Sequence, residues 1–583
     1  MVGKPVPPKT TPKDDTYKLA EQGKSVSPPI AQGAASAAAG TALQSKDRNA
    51  SVDAEKSGKP RAKPPGRLVS LDAFRGFIMI MLAATGFGIA GFAAIEDSSP
   101  VWQVQNHEYW KNVSFSFEHP AWRSAFDFYK VSFWDLIQPA FMFMVGVAMP
   151  FSYARRSQQQ QHSTFHLALH ALMRSAALIL IGVFLQSNGR QHTTWEFPNV
   201  LCQIGFGYFF AWCLLNFRPL IQVIALVVIL VGYWALFYFN PPPAAYDYAS
   251  VSAIKDDNKD DSEVFEGRFA AWSKNANAAF YFDRWFLPQL RTIPEPEAAA
   301  PDASVRRTRS SDWTPVVLTP VVLTPRPDEK AKRTDDVPAD ATSPVAEPAA
   351  DSTTPAPSPQ EAATELQPTP ETEDTPAAVQ VPPVPAGPGW FRRAFLHNDV
   401  PWKPNTGGYA TLNFIPSIGT TILGMLCGQL LLAGGSSHWK KLGILIVAAG
   451  FCLGLGILAD MTVCPIVKRI WTPSWVLFSG GYVIGMLALF YLVFDIAPFK
   501  ILAFPLVVVG MNSILMYMLG QTIGGWTKNS LIKAHLAGLI ENVFGPKALD
   551  PEWYAPITLA TGTFVVFWLF LYWLHRQRIY LRL

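Results

Sequence analysis

The chain has 583 residues, 49% of them hydrophobic and only 16% charged, with 19 Trp and 39 Phe, a composition that describes a membrane protein diluted by a soluble portion. The formal net charge of +4 is small and dispersed, and no basic stretch carries interleaved aromatics, which excludes nucleic acid as a partner. Of the five Cys, Cys202, Cys213, Cys427 and Cys452 fall in apolar segments and Cys464 in a loop, leaving neither a disulfide framework nor metal-ligand spacing; no metal is expected.

In chain order, residues 1–66 are rich in Pro, Lys, Ala and Ser and lack the apolar core of a secretory signal, so they read as a disordered cytoplasmic tail. RLVSLDAFRG, Arg67–Gly76, then sets Asp72 and Arg75 at the mouth of the apolar run Phe74–Ile95, long enough to cross a hydrocarbon core of roughly 30 Å. Three residues apart, they share a helix face and can pair. The plain reading is an interfacial salt bridge with the arginine snorkelling to headgroups; the sharper one is a polar floor for a site between helices.

Spanning-length runs recur at Ser132–Tyr153, Leu167–Leu185, Val200–Leu215, Leu220–Phe239, Leu412–Leu432, Leu442–Leu458, Trp475–Phe494, Ile501–Thr522 and Pro556–Trp573. The expectation is an all-α polytopic transmembrane bundle of about ten helices, its first half over 67–239 and its second over 411–583. Lys59, Arg61, Lys63 and Arg67, then Arg155 and Arg156, Arg218, Lys440 and Lys441, and finally Arg576, Arg578 and Arg582 all fall on one side. The positive-inside rule makes that side the cytoplasm, with both termini there, in a bacterial-type inner membrane; Lys468 and Arg469 are exceptions on the opposite side.

Three segments are then external: Glu96–Val131, Asn240–Ala410 and Gly524–Ala555. Within the second, about 294–388 is rich in Pro, Ala, Thr and Glu and holds TPVVLTPVVLTP, a composition that cannot bury a core and reads as a disordered insertion. Its flanks, Trp272–Leu287 and Trp402–Asn413, mix aromatic with polar residues and are expected to be ordered loops over the membrane domain.

His119, in FEHPAW, and Asp135, in SFWDLIQPAF, fall on the same external side. A histidine held by a carboxylate can act as a general base toward an amine or hydroxyl, or accept an acyl group. The plainer readings are a capping box between Ser132 and Asp135 and an ordinary loop histidine. His162, His166 and His170 repeat at helical spacing as one polar face, with no acid or Cys nearby to complete a metal site. Gly424 and Gly428 in GMLCG form a small-xxx-small pattern for close helix approach. Asn512 and Ser513 fall near the bilayer middle, where an amide must bond to a neighbouring helix or to a ligand, and Asn413, Thr420 and Thr421 raise the same question.

Taken in order, RLxSxDxFRG (Arg67–Gly76), an H-x-x-W loop (His119–Trp122), DLxxPxFxFxxG (Asp135–Gly146), PxVLxxxG (Pro198–Gly205), a TLN start to a Gly-rich helix (Thr411–Gly428), KxxWTxS (Lys468–Ser474) and GMNSILxY (Gly510–Tyr517) together resemble the heparan-alpha-glucosaminide N-acetyltransferase catalytic family and its bacterial relatives. The resemblance implies transmembrane acyl transfer from cytoplasmic acetyl-CoA to an extracytoplasmic amino sugar or glycan, with His119 as the active residue and Asp135 beside it. Arg75 would meet coenzyme A phosphate, and Asp72, Asn413, Asn512 and Ser513 join it as candidate acetyl-CoA-binding residues. The partners implied are the lipid bilayer, acetyl-CoA and a saccharide acceptor, and a homodimer is compatible with them. Two positions depart from the family: Thr85 lies where an asparagine is often found, and Gln203 stands for an arginine, which changes how a phosphate or carboxylate would be held. A transporter or a non-catalytic membrane protein keeping the fold is the competing reading; Pro416 and Pro505 could each break a helix, although no persuasive internal repeat is visible.

Overall fold

The computed structural model divides into two units, 1–64 and 65–583, and the residues described all belong to the second. They are 68–291 and 402–581, apart from 120–121, 125–129, 158–163, 245, 255–262 and 498, together with Trp390 and Leu396. The tail read over 1–66, the insertion read over 294–388, and His162 lie outside the described residues.

Among the described residues the structure is all-helical, with no strand. The first run is a broken helix: α1 (Val69–Ala83) meets α2 (Ile89–Ala93) at a 48° bend. Thr85, Gly86, Phe87 and Gly88 between them all have positive φ, which no right-handed helix tolerates. Gly88 is required there for a second reason, since a Cβ would overlap the Pro556 carbonyl. Thr85 therefore occupies a backbone break.

After α3 (His107–Ser114), the first half continues through α4 (Phe133–Ser157), α5 (Thr164–Ser187), α6 (Val200–Leu214) and α7 (Pro219–Tyr238). The long connection contributes α8 (Ala278–Phe286). The second half comprises α9 (Phe414–Leu432), α10 (His438–Thr462), α11 (Pro473–Tyr491), α12 (Phe504–Met511), α13 (Ser513–Trp526), α14 (Ala537–Phe544) and α15 (Ala555–Arg576). A 67° bend at Asn512 separates α12 from α13.

Against the ten runs read from the sequence, seven described helices are long and apolar enough to cross a membrane, or up to nine if each bent pair is one span; α6 falls short. Pro416 lies inside the first turn of α9 and Pro505 near the start of α12, positions where a missing N–H costs little. The α9 span is the buried centre, with 72% of its apolar window covered, whereas α5, α7 and α10 each cover 28% and turn broad apolar faces outward, as suits lipid.

Small residues set the tightest crossings. A Cβ on Gly424 would overlap the Phe143 carbonyl and one on Gly428 would crowd that of Val147, so the GMLCG pattern lets α9 lie directly on α4. Gly76 and Gly510 do the same for α1 on α12, with Gly510 against the Asp72 carbonyl. Two of the motifs in the sequence are thus the two halves of one helix crossing. Because Asn512 in turn bonds to the backbone of Ile579 and Leu581, the start of α1 and the chain after α15 share one end of the bundle.

Candidate active site

The opposite end is built from loops, and it brings His119 and Asp135 together. His119 Nδ1 lies 2.9 Å from Asp135 Oδ1, and Lys468 Nζ donates to the same oxygen at 2.9 Å. The Asp135 and Lys468 side chains are only 3% and 4% exposed, so each needs the other to offset the loss of water. The capping-box alternative is half realised. Ser132 Oγ accepts from Trp134 N and donates to the Glu118 carbonyl, while the Asp135 carboxylate turns to His119 and Lys468.

Local packing positions this trio. Trp122 Nε1 donates to the Trp272 carbonyl at 2.9 Å, burying the tryptophan of the H-x-x-W motif. Ser124 then ties two loops together, its N–H donating to the Ile466 carbonyl and its Oγ accepting from Lys468 N. Asp460, at the end of α10, accepts from Ile466 N and pairs with Arg123. Thr472 caps α11, and Trp471, at φ 51°, reaches Thr420 Oγ1 with its indole N–H. Asn413 donates to the Arg469 carbonyl at 2.6 Å, so it braces the loop that carries Lys468.

His119 forms part of the wall of a cavity of about 90 Å³. Trp134, Ile137, Gln138 and Phe141 line it from α4, which at 1.5 Å per residue extends it ~10 Å along that helix. Met79 and Leu82 of α1 close one side, and Gln186, Asn199, Tyr517 and Gln521 add polar groups. Asn199 Nδ2 donates to Tyr517 Oη at 3.2 Å. The imidazole Nε2 is buried and has no protein hydrogen-bond partner. Lys468 Nζ also lies 3.5 Å from Nδ1, but the 2.9 Å contact with Asp135 is the shorter, and since a carboxylate only accepts it places the neutral ring's proton on Nδ1 and leaves the Nε2 lone pair unused. Burial, followed by the charge of Lys468, lowers the His119 pKa from 6.5 to about 4, against the opposing pull of Asp135. The ring is therefore neutral at physiological pH.

The other candidates lie elsewhere. Asp72 and Arg75 form the expected i, i+3 pair at 3.9 Å. Arg75 precedes the cavity residue Met79 by four positions on the same helix face, but it is not among the lining residues. Nor are Asn413, Asn512 and Ser513. Asn512 donates to the Ile579 carbonyl at 3.1 Å and accepts from Leu581 N at 2.9 Å, while Ser513 opens α13. From GMNSILxY it is Tyr517, not Asn512, that reaches the cavity. Gln203 donates to the Phe197 carbonyl at 2.7 Å and steadies the turn before Asn199. His166 and His170 are exposed on α5. Lys468 is the participant missing from the residues singled out for the site, although it opens the KxxWTxS motif and is a basic residue on the side where the charge rule expects few. No protein-family model and no curated protein matches the chain.

Proposed function

We propose that this protein is a membrane acyltransferase that moves an acetyl group from cytoplasmic acetyl-CoA to an amine or hydroxyl of an extracytoplasmic saccharide. In this reading the His119 end faces outward and both chain termini face the cytoplasm of a bacterial inner membrane. Counting each bent pair as one span and α6 as a short tenth makes the span number even, as that arrangement requires.

One observation carries the reading: a buried, neutral imidazole whose Nδ1 is held by Asp135 and whose Nε2 is unused at the wall of a cavity between helices. Acting as a base, Nε2 takes the proton of the acceptor amine or hydroxyl as that group attacks the thioester carbonyl; the C–S bond breaks and coenzyme A leaves with the proton as its thiol. Acting as a nucleophile, Nε2 bonds to the acetyl carbon as the C–S bond breaks and the thiolate leaves; in a second step the acceptor attacks that carbon, the C–Nε2 bond breaks to restore the neutral ring, and the acceptor's proton balances the thiolate as a thiol. Asp135 steadies the imidazolium character that develops in either route. Gln138, Gln186 and Gln521 suit the amides of a pantetheine arm, and Met79, Leu82 and Phe141 suit its methylenes. Lys468 is the one cation among the described lining residues and already serves Asp135, so the phosphates belong outside this cavity, toward Arg75.

The test is His119→Ala in proteoliposomes loaded with acetyl-CoA and an amino sugar on opposite faces. Transfer should fall by roughly 10²–10⁴-fold with the elution profile and helix content unchanged. Undiminished turnover would remove His119 from the mechanism.

The transporter reading has its own observation, the two helices broken at Thr85–Gly88 and at Asn512, since transporters place discontinuous helices at their sites. Thermal stability in detergent separates the two. A rise with acetyl-CoA favours the enzyme, and a rise with a sugar alone favours transport.

A further inference from the structure

A second cavity, of about 30 Å³, adjoins that of His119, with Pro198 and Tyr409 in the walls of both. It is built from the two aromatic and polar segments flanking the long insertion, which fold against each other. Asn277 caps α8, accepting from Phe280 N and donating to the Ser273 carbonyl, and Asn275 donates to the carbonyls of Val251 and Asn405. Trp402 packs its ring 6.0 Å from that of Phe280. These contacts hold Asp283 in place on α8, only 5% exposed and on the cavity wall.

Asp283 is incompletely satisfied. One carboxylate oxygen, Oδ2, accepts from Thr411 N at 2.9 Å, while Oδ1 has no protein partner. Glu196, the other acid of this cavity, is engaged by Arg291 at 3.0 Å. Burial raises the Asp283 pKa to about 7, and once its carboxylate is ionised the bare Oδ1 favours an entering group that brings a donor. The space admits a group the size of a hydroxyl, an amine or a water or two. A sugar ring is too large for this space, so only one of its hydroxyl or amino groups enters, with the ring at the junction of the two cavities against Tyr409.

We propose that this second cavity is the acceptor subsite: Asp283 Oδ1 accepts a hydrogen bond from a hydroxyl or amino group of a sugar, whose neighbouring group then lies past Tyr409 beside His119. The assignment of this sugar as acceptor rests on the acyl-transfer reading, whereas sugar binding stands without it. Specificity follows from chemistry, because an acceptor lacking a donor at that position leaves Asp283 buried and unpaired.

Asp283→Asn is the probing change, since its amide oxygen keeps the bond from Thr411 N while its NH2 meets the sugar donor with another donor. At about pH 8.5, where Asp283 is ionised, the full chain in detergent is assayed for acetyl transfer to glucosamine and for saturation-transfer NMR of glucosamine without acetyl-CoA. The expected result is a glucosamine KM raised about tenfold, an acetyl-CoA KM moved by less than about twofold, and a weakened saturation-transfer signal. An unchanged glucosamine KM and signal in the folded variant would overturn the subsite and leave the cavity to water. If the unsubstituted protein transfers no acetyl group, the NMR arm decides alone: a sugar signal lost in Asp283→Asn supports the subsite, and absence of any signal in the unsubstituted protein overturns it. If Asp283→Asn does not fold, Tyr409→Leu takes its place, with the same loss expected and retained affinity counting against the proposal.

Discussion

His119 and Asn512 belong to motifs of equal prominence in the sequence, and they end as opposites. At the loop-built end, the His119 Nε2 and Asp283 Oδ1 atoms are buried without protein partners and lie on the walls of two adjoining cavities. At the other end, both atoms of the Asn512 amide are taken by the backbone after α15, the Asp495 carboxylate caps α1, and Gly76 and Gly510 bring α1 onto α12. The difference teaches that a polar residue inside an apolar bundle is informative only once its hydrogen bonds are counted. Satisfied groups hold helices together, and groups left over at a cavity are available to a ligand.

The largest expected effect breaks the comparison at its catalytic end. His119→Ala should cost transfer roughly 10²–10⁴-fold without loss of folded protein. Asn512→Leu should do the reverse, because it strips two hydrogen bonds of a fully buried amide from the end that holds the bundle together. A loss of about 2–4 kcal/mol of stability is expected, read as a lower unfolding midpoint in detergent, with acetyl transfer per folded molecule retained. Transfer lost from a fully stable Asn512→Leu protein would move that residue to the ligand side of the comparison.

A smaller effect tests Lys468. His119 is neutral above a pKa of about 4, so activity that needs its lone pair should persist in mild acid and fall as pH drops through that value. Lys468 holds the pKa down by its charge, so Lys468→Met should raise it and move the acid limb of kcat/KM up by about one pH unit. The variant should then lose rate about twofold near pH 5 and about fivefold near pH 4, with no such loss at pH 8. An acid limb that stays in place would mean that Lys468 serves only to neutralise Asp135.

Much of the fold was legible because lipid-facing helices announce themselves by length and apolarity, and GMLCG by its spacing. The joint placement of His119 and Asp135 was legible too, since His119 precedes α4 and Asp135 lies in its first turn. What was hidden depended on contacts between remote parts of the chain. Lys468 meets Asp135 across 333 positions and Asp283 meets Thr411 across 128, and no local pattern reports either. Asn512 was ambiguous for a physical reason: a mid-helix amide looks the same in sequence whether its partner is a ligand or a carbonyl 67 residues on. The bend after α1 did leave a trace in TGFG, whose two glycines sit where the chain turns left-handed.

The smallest expected effect concerns Asp495, which sharpens the structural end. Its two carboxylate oxygens accept from Val69 N at 3.0 Å and Ser70 N at 3.1 Å, 426 and 425 positions away, where α1 has no side-chain cap from its own residues. An anion at a helix start satisfies orphan N–H groups and meets the positive end of the helix dipole. Asp495→Ala removes both effects, but the site is part-buried and water can replace the carboxylate, so the expected loss is about 1 kcal/mol. That is less than for Asn512→Leu, because the Asn512 side chain is itself fully buried whereas that of Asp495 is only partly so. The comparison therefore predicts an order within one end as well as a contrast between two, and equal destabilisation by the two variants would show that the difference in burial does not set the energy.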